Sequence, residues 1–248
     1  MRYLVLSDLH ANIDALDAVL ASASDAAYDQ VLVLGDLVGY GAEPNLVVER
    51  VRGLNPVAIV RGNHDRVAAG LASSKGFNPT AQRSADWTRE AVTPGTLDYL
   101  VSLPKGPVAV EDFIEICHGS PADEDTYIFD EADVAEALAA ALKPLCLFGH
   151  THLPAAAALD QRCRVEVLFH GARDDRRLTL EDDRRYLVNP GSVGQPRDGD
   201  PRAAYAVLDS ESRELVVRRV EYPVERARDR ILAAGLPKPL GNRLLIGR

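Results

Sequence analysis

Five short stretches of this chain carry side chains of the kind that hold metal ions. They are Asp8-Leu9-His10, Gly35-Asp36, Gly62-Asn63-His64-Asp65, His118-Gly119 and Gly149-His150-Thr151-His152. Each follows a short apolar run that ends abruptly. A strand's period of two predicts that the Asp8 and His10 side chains leave on the same side, and likewise those of His150 and His152. Ligands at strand ends rest on rigid supports, and the neighbouring glycines let the backbone turn sharply and approach an ion closely.

The donor types narrow the chemistry. Carboxylates, imidazoles and one amide, without a thiolate, suit borderline divalent ions such as Mn, Fe or Zn. Calcium would take more oxygens, and a structural zinc site would take cysteines. The donors outnumber what one tetrahedral ion needs, but they suffice for two ions sharing a carboxylate. Two such ions, about 3.5–4 Å apart, clamp the attacking and leaving oxygens of a phosphoryl displacement. Five of the six histidines fall in these stretches, which chance does not explain. His170 stands apart and reads as structural.

The elements that must position these residues can be read in outline. Tyr3–Ser7, Gln30–Leu34 and Val57–Val60 read as strands. Ile13–Ala23 reads as a helix with Asn12 as its N-cap, and a second helix runs from Pro44 to about Gly53. That β-α-β-α-β order predicts a parallel sheet with helices on its face. Residues from about 66 to 104 read as a helical insertion flanking the site. Val108–Val110 and Phe113–Cys117 form a hairpin, Glu131–Leu142 a helix and Leu145–Phe148 a strand. The runs 155–159, 164–170, 185–188, 203–208 and 215–220 lack intervening helices and predict a second, more antiparallel sheet. Val224–Ala234 is a last helix, and residues from about 237 to 248 read as a C-terminal surface strap.

Composition bounds the alternatives. The 248 residues fit one large α/β domain spanning 1–248, with 46% hydrophobic residues to build its core. The balance of 28 basic against 37 acidic residues disfavours nucleic acid as a partner. No apolar run predicts a secretory leader or a membrane span, and Cys117, Cys146 and Cys163 read as reduced thiols. A cytoplasmic protein without a membrane partner is expected; the sequence sets no oligomeric state.

The five motifs, in this order and spanning residues 8 to 152, resemble those of the calcineurin-like metallophosphoesterases. The resemblance continues through Asn189-Pro190-Gly191-Ser192. It implies an α/β fold, a four-layer α-β-β-α sandwich of two mixed sheets flanked by helices. It implies one divalent ion held by Asp8, His10, Asp36 and His152, and a second by Asp36, Asn63, His118 and His150, with Asp36 bridging. His64 would be the catalytic residue, giving a proton to the leaving oxygen or hydrogen-bonding the phosphate. The implied reaction is hydrolysis of a small phosphorylated substrate, a phosphodiester or a nucleotide anhydride, by a metal-bridging hydroxide. The Ser/Thr protein phosphatases of the superfamily carry an Asp-Arg pair shortly after the Gly-Asp motif. Gly39 and Tyr40 stand there instead, so bacterial phosphodiesterases and diadenosine tetraphosphate hydrolase-like members fit better. The alternatives are a catalytically silent protein-binding scaffold of the same fold, or a phosphomonoesterase or protein phosphatase.

Weaker signals surround this set. Asn12 could contact substrate as well as cap its helix. Arg197 could bind substrate from the loop Asn189–Arg197, which is expected to pack on the side of the second ion. Arg61 could contact phosphate or form a structural ion pair with Asp65. Tyr40 and Trp87 could stack on an aromatic group, with packing the favoured role of Trp87.

Overall fold

Strand alternation builds the core of this molecule in three layers. In β1 (Arg2–Leu6), Tyr3 and Val5 point to one side of the sheet, Leu4 and Leu6 to the other, and all four are buried. The computed structural model describes residues 1–25, 27–171 and 173–248. Among them, β1 is followed by α1 (Ile13–Ser24), β2 (Gln30–Val33), α2 (Pro44–Leu54), β3 (Ala58–Ile59) and α3 (Asn63–Ala68). Next come α4 (Pro79–Ala91), α5 (Pro94–Ser102), β4 (Val108–Ala109), β5 (Ile114–Ile116), α6 (Glu131–Ala140) and β6 (Leu145–Leu147). The remainder is β7 (Ala155–Leu159), β8 (Val165–His170), β9 (Arg176–Thr179), β10 (Arg185–Asn189), β11 (Ala203–Asp209), β12 (Glu214–Val220), α7 (Val224–Ala233) and α8 (Lys238–Leu244).

Two six-stranded sheets result, ordered β3-β2-β1-β11-β12-β9 and β4-β5-β6-β10-β7-β8. Tyr3, Val5, Leu32 and Leu34 of the first sheet meet Ile114, Ile116, Leu145 and Val188 of the second in the central core. On the outer face of the first sheet, Leu4, Leu6 and Val33 pack against residues of α1, α2, α5, α7 and α8. On the outer face of the second, Cys146, Phe148 and Leu187 pack against Val134 and Leu138 of α6. The layers are therefore helix, sheet, sheet, helix, and the fold is the expected α/β sandwich.

Three features differ from expectation. The late strands do not form a sheet of their own. β11 lies antiparallel beside β1, and β10 lies parallel to β6, so each sheet mixes two parallel with three antiparallel pairings. Sequence order does not record which strand a returning chain will meet. β9, of sequence RRLT, was not foreseen; it is an exposed edge strand with a single apolar residue. The tail expected as a surface strap over 237–248 is instead largely helical. Leu240 and Leu244 are buried against the outer core, and Pro239 sits in the first turn, where a missing N–H costs nothing.

Candidate metal centre and active site

The site forms where the ends of the two sheets meet. Asp8 follows β1, Asp36 follows β2 and Asn63 follows β3, all from the first sheet; His118 follows β5, while His150 and His152 follow β6 of the second. Strand alternation does not deliver them. β1 ends at Leu6, and Asp8, His10, Asp36, His150 and His152 have φ between +46° and +66°. At the ends of β1, β2 and β6 the side chains converge because the backbone turns through the left-handed region. Such turns cost an L-residue about 1–2 kcal/mol each, and they persist where surrounding structure enforces them. Here the enforcement is a set of backbone bonds. Asp8 N–H donates to Gly35 O, His10 N–H to Asp36 O, and Gly149 N–H to His118 O.

Asp8, His10, Asp36 and His152 form one buried cluster, and Asp36, His118 and His150 form a second. Within each, the candidate donor atoms all lie within 4.8 Å of one another. Asp36 belongs to both. Its Oδ2 lies 3.5 Å from His10 Nε2 and 3.5 Å from His118 Nε2. Asn63 Oδ1 is 3.2 Å from His118 Nε2, which adds the amide to the second cluster.

The imidazoles are oriented by backbone carbonyls, which only accept hydrogen bonds. His10 Nδ1 meets Val38 O at 3.1 Å, His118 Nδ1 meets Leu34 O at 2.8 Å, and His152 Nδ1 meets Gln195 O at 2.6 Å. Each Nδ1 therefore carries a proton, and each Nε2 is aimed at the centre, with its lone pair free in His10 and His152. His150 is reversed. Its Nε2 donates to Asp125 O at 3.1 Å, leaving Nδ1 as the ligand atom. His10 Nε2 and His152 Nε2 face each other at 3.0 Å. Burial lowers both pKa values, so two neutral nitrogens oppose their lone pairs. A cation between them turns that repulsion into coordination, and the residues present fit divalent metal.

The remaining charges follow from burial. It pushes Asp8 up to about 7, against the pull of His118. It also lowers His118, but the Asp36 and Asp8 carboxylates outweigh it and raise the imidazole to about 10. A metal ligand must be deprotonated, so an ion bound there displaces that proton.

His64 stands beside the clusters. Burial holds it down to about 4, opposed by Asp36. Its backbone N–H donates to Asp36 Oδ1 at 2.9 Å, and its ring packs on Tyr40 and Phe77, with centroids 4.3 and 4.7 Å apart. Its Nδ1 is buried with no partner, next to Gly39. A Cβ on Gly39 would lie 2.4 Å from that nitrogen, so the ring leaves no room for a side chain at this position. Gly62 is equally constrained, since a Cβ there would fall 2.1 Å from Asp36 Oδ1.

Asn12 has both of its side-chain polar atoms engaged within the fold. Its Oδ1 accepts from Ala15 N–H at 3.1 Å and its Nδ2 donates to Gly194 O at 2.9 Å. Arg61 pairs in a fork with Glu124, both contacts at 3.0 Å, and not with Asp65. Asp65 instead accepts from the Gly62 and Val38 N–H groups. The Asn189–Arg197 loop packs on the side of Asp8 and His152, the reverse of the expected side. Gln195 O holds His152, and Ser192 Oγ donates to Asp8 O at 2.8 Å. Arg197 lies over the Tyr40 ring and donates to its hydroxyl at 3.3 Å. Trp87 packs against the outer core.

Sequence reasoning missed Tyr127, whose ring stacks on His150 at 3.9 Å, and Phe77 against His64. Tyr40, Asn63, His64, Phe77, Tyr127 and His150 line a cleft of about 450 Å³. Neither aromatic sits in a motif, and only the three-dimensional contact marks them.

Comparison with known proteins agrees with this geometry. Residues 1–213 match the model of the calcineurin-like phosphoesterase superfamily domain. The chain belongs to that superfamily and is a metal-dependent phosphoesterase. It is 34% identical to the uncharacterized protein MJ0912 of Methanocaldococcus jannaschii over 98% of this chain and 97% of that one. It is 24% identical to the phosphodiesterase YfcE of Escherichia coli, over 85% and 89% of the two chains. Its fold superposes on a crystal structure of a metallophosphoesterase from Sphaerobacter thermophilus with a TM-score of 0.87, at 38% identity, over the full length of both.

Proposed function

We propose that this enzyme hydrolyses phosphodiesters or nucleotide anhydrides at a centre of two divalent ions that share Asp36. The observation carrying this reading is the position of Asp36 Oδ2, equidistant from one histidine of each cluster. Asp8, His10 and His152 would complete one ion's ligands; Asn63, His118 and His150 would complete the other's. When bound, Mn, Fe or Zn would activate water as the nucleophile and neutralise the charge that develops on the phosphoryl oxygens.

The chain's own residues do the rest. The Nδ1–H bonds to Val38, Leu34 and Gln195 hold three rings in the binding tautomer. His64 is neutral at rest, because burial disfavours its cation. An arriving phosphate favours the charged ring, so a proton is taken up with the substrate and stands ready for the leaving oxygen. Phe77 and Tyr127 leave room beside the ions for a second substituent on phosphorus, which supports a diester or anhydride. The name of the relative YfcE is in line with that, and Gly39 and Tyr40 argue against a phosphoprotein substrate. The small phosphorylated substrate is met in the cytoplasm on this reading; Cys117 and Cys146, 3.6 Å apart and free, are the thiols of a reducing compartment.

Turnover of bis(p-nitrophenyl) phosphate against p-nitrophenyl phosphate, with Mn added to metal-depleted protein, tests this. The diester should be the better substrate, and chelator should abolish its hydrolysis. Preference for the monoester would contradict the substrate class, and no turnover of either would return the scaffold reading.

A further inference from the structure

Arg197 and Arg243 are two half-buried guanidinium groups without a carboxylate partner. Both lie over the ring of Tyr40, at 5.8 and 4.6 Å from its centroid. Neither has a carboxylate oxygen within ion-pair distance among the described residues, whereas Arg61, Arg66, Arg202, Arg219 and Arg230 each have at least one. In a chain with nine more acidic than basic residues, two adjacent unpaired arginines at the site rim need a reason. Arg243 Nε and Nη2 are buried with no hydrogen-bond partner. The Arg197 guanidinium donates two long bonds, 3.3 Å each, to Tyr40 Oη and Gln195 Oε1, and also reaches the Tyr127 hydroxyl, a neutral partner like the others.

The pair faces the reaction centre. Tyr40 packs on His10 and His64, with centroids 4.6 and 4.3 Å apart. The charge of Arg197 acts on His10, His64, His150 and His152, and that of Arg243 on His64. Burial pulls Arg243 down to about 10, and Arg197 adds to that pull while Tyr40 opposes it. Two like charges kept close in a poorly solvated place are balanced when an anion joins them. Arg243 sits on α8, beyond residues 1–213 that match the superfamily, while Arg197 and Tyr40 lie within them.

We propose that Arg197 and Arg243, both packed over the Tyr40 ring, form a subsite for a second anionic group of the substrate, so that the preferred substrate carries a further phosphate next to the scissile one. This rests on the phosphoesterase reading above and deepens it: phosphoanhydrides are favoured over simple diesters.

The test compares a nucleoside triphosphate with bis(p-nitrophenyl) phosphate, which carries one charge. Wild type and Arg243→Gln are assayed with Mn, and melting is recorded for both. The ratio of kcat/KM for the triphosphate to that for the diester should fall about tenfold or more in the variant, the size of one charge-assisted hydrogen bond. An unchanged ratio in a folded variant overturns the subsite. If Arg243→Gln does not fold, Arg197→Gln gives the same comparison from a loop. Calorimetry with inorganic pyrophosphate and inorganic phosphate reads the subsite without turnover. Wild type should bind pyrophosphate at least tenfold tighter than phosphate, and the variant should lose that advantage. Equal binding of the two anions overturns the proposal even if hydrolysis proceeds. Absence of hydrolysis with both substrates defeats the functional reading alone, and the calorimetric ratio then decides the subsite.

Discussion

At the scale of single residues, His64 and His118 are a matched pair for separating chemistry from binding. Both are buried beside Asp36, His64 through its backbone N–H and His118 through its ring, and only His118 turns a ring nitrogen into a cluster. His64→Ala should keep both ions and lower kcat by about 10²–10⁴-fold, the usual size for general acid catalysis. The loss should shrink for a nitrophenolate leaving group, which departs without a proton, and grow for an alkoxide. Equal losses with both would make His64 a holder of the phosphate. His118→Ala should instead lose the second ion, measured by metal content after gel filtration. Most of this site was legible as residue types: the donor list and the order of the motifs gave the seven candidate ligands. What could not be read was each partner. The reversed tautomer of His150 depends on Asp125 O, and Asn12, read correctly as an N-cap, also donates to Gly194 O, 182 positions away.

At the scale of elements, the ligand loops are set by close approach more than by strand periodicity. Reading Asp8 and His10 as successive same-face strand residues names the right side chains for the wrong reason. The strand ends at Leu6, and a left-handed turn aims them. Sequence does suggest such turns through flanking glycines, but it does not say which neighbour demands them. Gly39 is a sharp case, with φ +85° and His64 against its α-carbon. Gly39→Ala should push the His64 ring from its place and strain the backbone. We expect kcat to fall at least tenfold with metal content retained, and a loss of stability on the order of 1–2 kcal/mol. Full activity in Gly39→Ala would show that the ring position is not needed. The C-terminal residues were misread as a strap because Pro239 and Gly241 look like helix breakers. Proline in a first turn is harmless, and Gly241 allows α8 to approach Arg228.

At the scale of the whole molecule, the two sheets share one core built from apolar side chains and none of the candidate ligands. Tyr3, Val5, Leu145 and Val188 belong to it, and two outer cores add to it. The layered architecture was legible from alternating apolar runs; the mixing of late strands into both sheets was not, because β1–β11 pairing joins residues 200 positions apart. Chelation should therefore abolish activity while leaving a cooperative melt at a lower Tm, unlike small domains that unfold without metal. Calorimetric melting with and without chelator checks this, and complete unfolding on chelation would make the ions structural. The ions themselves would stitch the sheets together, because Asp36 comes from the first and His118 from the second. The most direct test of the shared carboxylate is metal content per chain, by elemental analysis, for wild type and Asp36→Asn purified without chelator. Two ions per chain in the wild type, both lost or strongly weakened together in the variant, is the result the bridging geometry predicts. A single ion in the wild type, or a variant that keeps one ion at full affinity, would contradict it.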